Sequence, residues 1–97
     1  METKTIEQTI LDQLNQTKVN GFPLMKYIGA KSCIFGAGWV SFKVAKNPEG
    51  ITEVGVHYLV MHDSYKIYYF KGDSIANSQR DLYFDDFDSI ARELGVL

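Results

Sequence analysis

Trp39-Val40-Ser41-Phe42-Lys43-Val44-Ala45 alternates strictly, with Val40, Phe42 and Val44 on one face and Ser41 and Lys43 on the other. A period of two is the signature of a half-buried strand. Asn47-Pro48-Glu49-Gly50 follows as a turn, since proline pre-sets φ and glycine tolerates positive φ. Ile51 to Met61 then reads as a long strand. Val54, Val56, Tyr58 and Val60 share one face, and His57, Leu59 and Met61 the other. Asp63-Ser64 makes a tight connection, and Tyr65 to Lys71 returns as a third strand. Short connections between successive strands predict an antiparallel meander.

Upstream, the period changes to that of a helix. Ile6, Ile10, Leu11 and Leu14 form one stripe between Thr5 and Gln16, and Thr5 with Gln8 fits a capping box. Asn20-Gly21 breaks this pattern, and Pro23 can open a short helical turn through Tyr27 that stops at Gly29. Downstream, Gly72 to Arg80 reads as a polar loop leading to a short strand around Leu82 and Tyr83. A last helix is expected from about Asp86 to Leu94, with Asp85 as N-cap, Phe87, Ile90, Ala91 and Leu94 as its apolar stripe, and Gly95 at C′. The expected fold is one α+β domain over residues 1–97. It has an N-terminal helix, a four-stranded antiparallel sheet and a C-terminal helix, with the helices on one sheet face.

Composition agrees with a folded chain of this kind. Hydrophobic residues make up 45% of the 97 positions and charged residues 23%, which excludes disorder on compositional grounds. Six Tyr, six Phe and Trp39 supply large buried areas, which helps so short a chain build a core without staples. Cys33 is the only cysteine, so no intramolecular disulfide forms. No apolar run approaches the roughly 20 residues that span a bilayer, and the opening Met1–Gln16 stretch is amphipathic rather than a leader. A cytoplasmic, reducing setting is the expectation. The formal net charge is −2, but Lys18 to Pro48 contains five lysines and no acid, whereas nine acids face four bases from Glu49 onward.

Each catalytic or metal-binding pattern in the chain has a simpler account. Cys33 with His57 or His62 is the one thiol–imidazole combination, but Ser32-Cys33-Ile34-Phe35 is an apolar setting that raises a thiol pKa, so Cys33 reads as a buried structural residue. His62-Asp63-Ser64 holds three triad residue types consecutively, a spacing that cannot form a relay; Asp63 and Ser64 suit a turn. Asp81, Asp85, Asp86 and Asp88 lack the alternation and mid-loop glycine of a calcium loop and fit helix capping. Gly29-Ala30-Lys31-Ser32 and Gly36-Ala37-Gly38 lack the remaining glycines of phosphate-binding loops. The expectation is a non-enzyme with no catalytic residues, no metal and no cofactor.

The run Tyr65 to Lys71 carries more information. Tyr65, Ile67 and Tyr69 point one way, and Lys66, Tyr68 and Phe70 the other. Only one sheet face meets the helices, so the second set of rings is left for a partner. Lys43, Lys66, Tyr68, Phe70 and Lys71 are therefore the candidate partner-binding residues. Rings beside lysines on a sheet suit a protein interface or a homodimer. They also suit single-stranded nucleic acid, with lysines on phosphates and Tyr68 under a base. Without a ribonucleoprotein-type signature, a protein partner is the first expectation and nucleic acid the alternative.

Ile10-Leu11-Asp12-Gln13-Leu14, Gly29-Ala30-Lys31, Val40-Ser41-Phe42-Lys43, Asn47 to Gly50 followed by Ile51, Asp63 with Tyr65, and the closing Leu94-Gly95-Val96-Leu97 occur in this order. In these residues the chain resembles a group of small conserved accessory proteins encoded by bacteriophages and other mobile elements. The group brings no catalytic residues. The resemblance implies a setting in the cytoplasm of an infected bacterium, where small folded binders block a host enzyme or a defence complex.

Overall fold

The computed structural model describes residues 5–97. Helix α1 (Ile6–Gln16) is opened by the expected capping box: the Gln8 N–H donates to Thr5 Oγ1 at 3.2 Å and the Thr5 N–H to Gln8 Oε1 at 3.1 Å. Two short strands, β1 (Lys18–Val19) and β2 (Phe22–Pro23), pair around the Asn20-Gly21 turn. Helix α2 (Leu24–Tyr27) follows, and Gly29 (φ +65°) ends this segment as the sequence suggests.

The main sheet is antiparallel throughout, in the order β3 (Lys31–Gly36), β4 (Trp39–Lys43), β5 (Glu53–Leu59), β6 (Ser64–Lys71) and β7 (Ser74–Leu82). A 3₁₀ turn (Phe84–Asp86) and helix α3 (Ser89–Glu93) close the chain. All three helices pack on one face. Ile10, Leu14, Leu24, Phe87, Ile90 and Leu94 meet Val40, Phe42, Val54, Val56, Ile67 and Tyr69 in one core, each no more than 1% exposed. The Glu7 carboxylate, accepting the Gly38 N–H at 3.1 Å, ties α1 to the β3–β4 turn; that bond holds its pKa below the usual carboxylate range.

The sheet has five strands where four were expected, besides the small β1–β2 ribbon. The additional strand is β3, which the expected layout did not include, and the fourth expected strand, around Leu82 and Tyr83, is the end of the longer β7 (Ser74–Leu82), which takes in most of the stretch expected as a loop. The polar residues of β7 concealed this, because two of them, Asn77 and Gln79, are satisfied by α3 and Tyr69. Asn77 Nδ2 donates to Glu93 Oε2 at 2.6 Å, and Gln79 Oε1 accepts the hydroxyl of fully buried Tyr69 at 2.6 Å. Burial in this setting pushes the Tyr69 phenol far above its ordinary pKa.

The strand expected over Ile51–Met61 is shorter, Glu53–Leu59, and Val60 and Met61 leave the sheet into solvent. The C-terminal helix is also shorter than expected. Asp86, not Asp85, caps its approach, accepting the Tyr83 N–H at 2.9 Å across the 3₁₀ turn. Gly95 (φ +75°) does occupy the C′ position, with the Val96 N–H bonded to Ala91 O. Among the described residues no helix is long and apolar enough to cross a membrane.

Candidate functional site: the open face of the sheet

Pairing register determines which side chains share the face that no helix covers. Trp39 lies opposite His57, and His57 opposite Lys66. Ile34, Ser41, Gly55, Tyr68 and Ser78 form the next row, and Lys43, Glu53 and Phe70 the third. Gly55 stands at the centre. Because it has no side chain, the rows around it leave a hollow of about 240 Å³ walled by Ile34, Trp39, Ser41, Glu53, His57 and Phe70.

The rings on this face support one another. Trp39 and His57 stack with centroids 6.1 Å apart and planes 19° apart, and His57 meets Tyr68 edge-on at 5.0 Å. Tyr68 and Phe70 lie tilted at 6.3 Å. The Lys66 ammonium sits 4.7 Å over the Tyr68 ring centre, a cation–π contact that occupies one face of that ring. Gly36 is needed under Trp39, since a Cβ there would come within 2.6 Å of the indole. Ser41 is only 7% exposed although it belongs to this face, and its hydroxyl donates to Glu53 Oε2 at 2.6 Å.

Burial holds the His57 imidazole below its ordinary pKa, and the charge of Lys66 adds to the effect. The folded pKa is thus below the unfolded one, so the neutral-imidazole contribution is complete above about pH 6.5 and is lost as pH falls through the folded value. The urea midpoint is therefore expected to fall between about pH 7 and pH 5. In His57→Gln that decline should be shallower; equal declines in the two proteins would contradict this origin.

Four of the five candidate residues named from sequence can be placed together: Lys43, Lys66, Tyr68 and Phe70 belong to the open face. Lys71 alternates to the other side at the end of β6, and its Cε lies 3.8 Å from where a Cβ at Gly50 would be. Trp39, His57, Gly55 and Ile34 complete the face. The strands of Trp39, Gly55 and His57 were legible in sequence and that of Ile34 was not, while the proximity of all four depends on register.

The remaining motifs fall elsewhere. Cys33 is exposed on edge strand β3, a correction to the buried cysteine expected from its apolar neighbours. An edge strand beyond the helices has nothing to cover it, and partial burial still raises the thiol pKa. His57 is two strands away, about 10 Å by strand spacing. Asp63 (φ +47°) is indeed in a turn, but its carboxylate accepts the Tyr58 hydroxyl at 2.6 Å, while Ser64 is buried. Asp88 pairs with Arg92 at 3.0 Å. Comparison of the chain with protein-family models, curated proteins and solved structures finds no match.

Proposed function

We propose that this is a non-enzymatic binding protein that occupies a protein partner's surface with the open face of its sheet. One observation carries the reading: all three helices pack on the opposite face, leaving Trp39, His57 and Phe70 around a hollow over Gly55, with Tyr68 packed against His57 and Phe70. Large rings at the centre of a patch are the side chains that dominate protein interfaces. The phage resemblance makes a host enzyme or defence complex the class of partner. Nucleic acid ranks second. Lys43 and Lys66 favour it, but Lys66 already occupies a face of Tyr68, and the Glu53 carboxylate stands among the rings, where it would repel phosphate.

Capture from a bacterial lysate on the tagged protein, with mass spectrometry and nucleic-acid staining of the eluate, tests the reading. A protein should be recovered whose affinity falls by about 2 kcal/mol or more, roughly 30-fold, in Trp39→Ala and in Phe70→Ala. Both variants should keep the parent's circular dichroism spectrum. Nucleic acid in the eluate, released with a steep salt dependence, would instead support the second reading. Unchanged capture by both variants would remove the sheet face from consideration.

A further inference from the structure

Where β3 begins and β4 ends, Lys31 is paired directly opposite Lys43. Like charges in that position destabilise a sheet. Lys46, just beyond β4, joins them around a second hollow of about 430 Å³, whose walls also include Val44, Ile51 and Thr52. No acidic residue lines it. Among the described residues none of the three lysines is ion-paired. Glu53 is the cross-strand neighbour of Lys43 on its other side, but its Oε2 accepts the Ser41 hydroxyl.

The polar groups around this corner are already engaged. The Asn47 amide donates to Ala45 O and Ile51 O and accepts the Ile51 N–H, which fixes the turn carrying Lys46. Thr52 Oγ1 donates to Phe70 O and accepts the Gly72 N–H. The corner therefore presents three ammonium groups over an apolar floor of Val44 and Ile51, on a chain whose net charge is −2.

We infer that this corner receives the carboxylates of an acidic segment of the partner protein. The inference rests on the proposed function and specifies the partner's chemistry. Charge complementarity requires an anion, and the apolar floor requires that anion to carry apolar groups, as an acidic peptide with interspersed aliphatic residues does. In an extended peptide, carboxylates two residues apart are about 7 Å from each other, within reach of lysines on adjacent strands. Lys43 also borders the ring-lined face, so the corner adjoins the proposed binding surface.

The test is an NMR titration of the full ¹⁵N-labelled chain with the blocked peptide Ac-Glu-Leu-Glu-Leu-Glu-NH₂. Parallel titrations use its Lys counterpart, a ten-residue oligothymidylate and inorganic phosphate. The acidic peptide should shift the amides of Lys31, Lys43, Lys46 and Thr52. Raising salt from about 50 to about 300 mM should weaken it at least about five-fold, as screening shortens the reach of the lysines. Lys31→Glu should weaken it about ten-fold or more while raising the thermal midpoint, because the new carboxylate faces Lys43. Lys18→Glu, the same charge change on β1, should alter affinity less than about two-fold.

Absence of these shifts, equal binding of the basic peptide, or equal loss in Lys18→Glu would overturn the inference. A lowered midpoint in Lys31→Glu would do the same. Oligothymidylate binding about ten-fold tighter would reassign the corner to nucleic acid, and phosphate matching the peptide would reduce it to a small-anion site. A captured partner that needs Trp39 but not Lys31 would sink this inference and leave the proposed function standing. Acidic-peptide binding together with capture indifferent to Trp39 and Phe70 would do the reverse.

Discussion

Phe87→Ala is expected to remove about 3–5 kcal/mol of stability, the usual cost of deleting a fully buried ring. Phe87 has no exposed surface, and its ring lies 5.1 Å from that of Tyr65 on the sheet. It stands between the 3₁₀ turn and α3, a helix of five residues. So short a helix has no stability of its own; packing alone holds it in place. Phe87, Ile90, Ala91 and Leu94 supply that packing. Loosening α3 also withdraws Glu93 from Asn77, so the edge strand β7 loses the partner of its polar underside. Urea denaturation should show the loss against a total of about 5–15 kcal/mol for a small domain, with amide exchange accelerated first along β7. A cost below about 1 kcal/mol would show that the site relaxes around the missing ring.

What could be read from the sequence followed local periodicity. Val40, Phe42 and Val44 alternate, Ile10 and Leu14 recur at helical spacing, and Thr5 with Gln8 carries its own cap; each pattern is contained within a few residues. Strand β3, exposed along nearly its whole length, offered no burial alternation to read, and only the Leu82 end of β7 was legible, because Asn77 and Gln79 face α3 and are satisfied by Glu93 and Tyr69, residues distant in sequence. A polar strand under a helix looks like a loop until its hydrogen-bond partners are known.

Cys33 departs from expectation for a related reason. Its apolar neighbours suggested burial, but Ile34 and Phe35 are themselves 57% and 61% exposed on an edge strand. The candidate site was half legible. Alternation in Tyr65–Lys71 separated Lys66, Tyr68 and Phe70 from the core-facing residues, yet Trp39 and His57 join them only through the β4–β5–β6 register. The acid-free stretch from Lys18 to Pro48 hinted at a basic surface, and the Lys31–Lys43 pairing condenses part of it into one corner.

That corner depends on a glycine, and Gly29→Ala should cost roughly 2–5 kcal/mol. Two effects combine. Gly29 has φ +65°, where an L side chain costs about 1–2 kcal/mol. A Cβ there would also lie 2.6 Å from the Ala45 Cβ, and overpacking of that kind costs about 1–3 kcal/mol. The overlap cannot relax freely, since the Ala45 N–H donates to Ile28 O at 3.1 Å. Any outward shift of Ala45 moves the segment between Lys43 and Lys46, so acidic-peptide affinity should fall along with stability. Gly38→Ala separates the two effects, because Gly38 has φ +82° but open space where its Cβ would be. That variant should show the backbone cost alone, about 1–2 kcal/mol. Adding Ala45→Gly to Gly29→Ala removes the opposing Cβ, and the double variant should be more stable than the two single effects predict. Strict additivity in this cycle would show that the two Cβ atoms never compete, and would leave backbone strain as the whole cost.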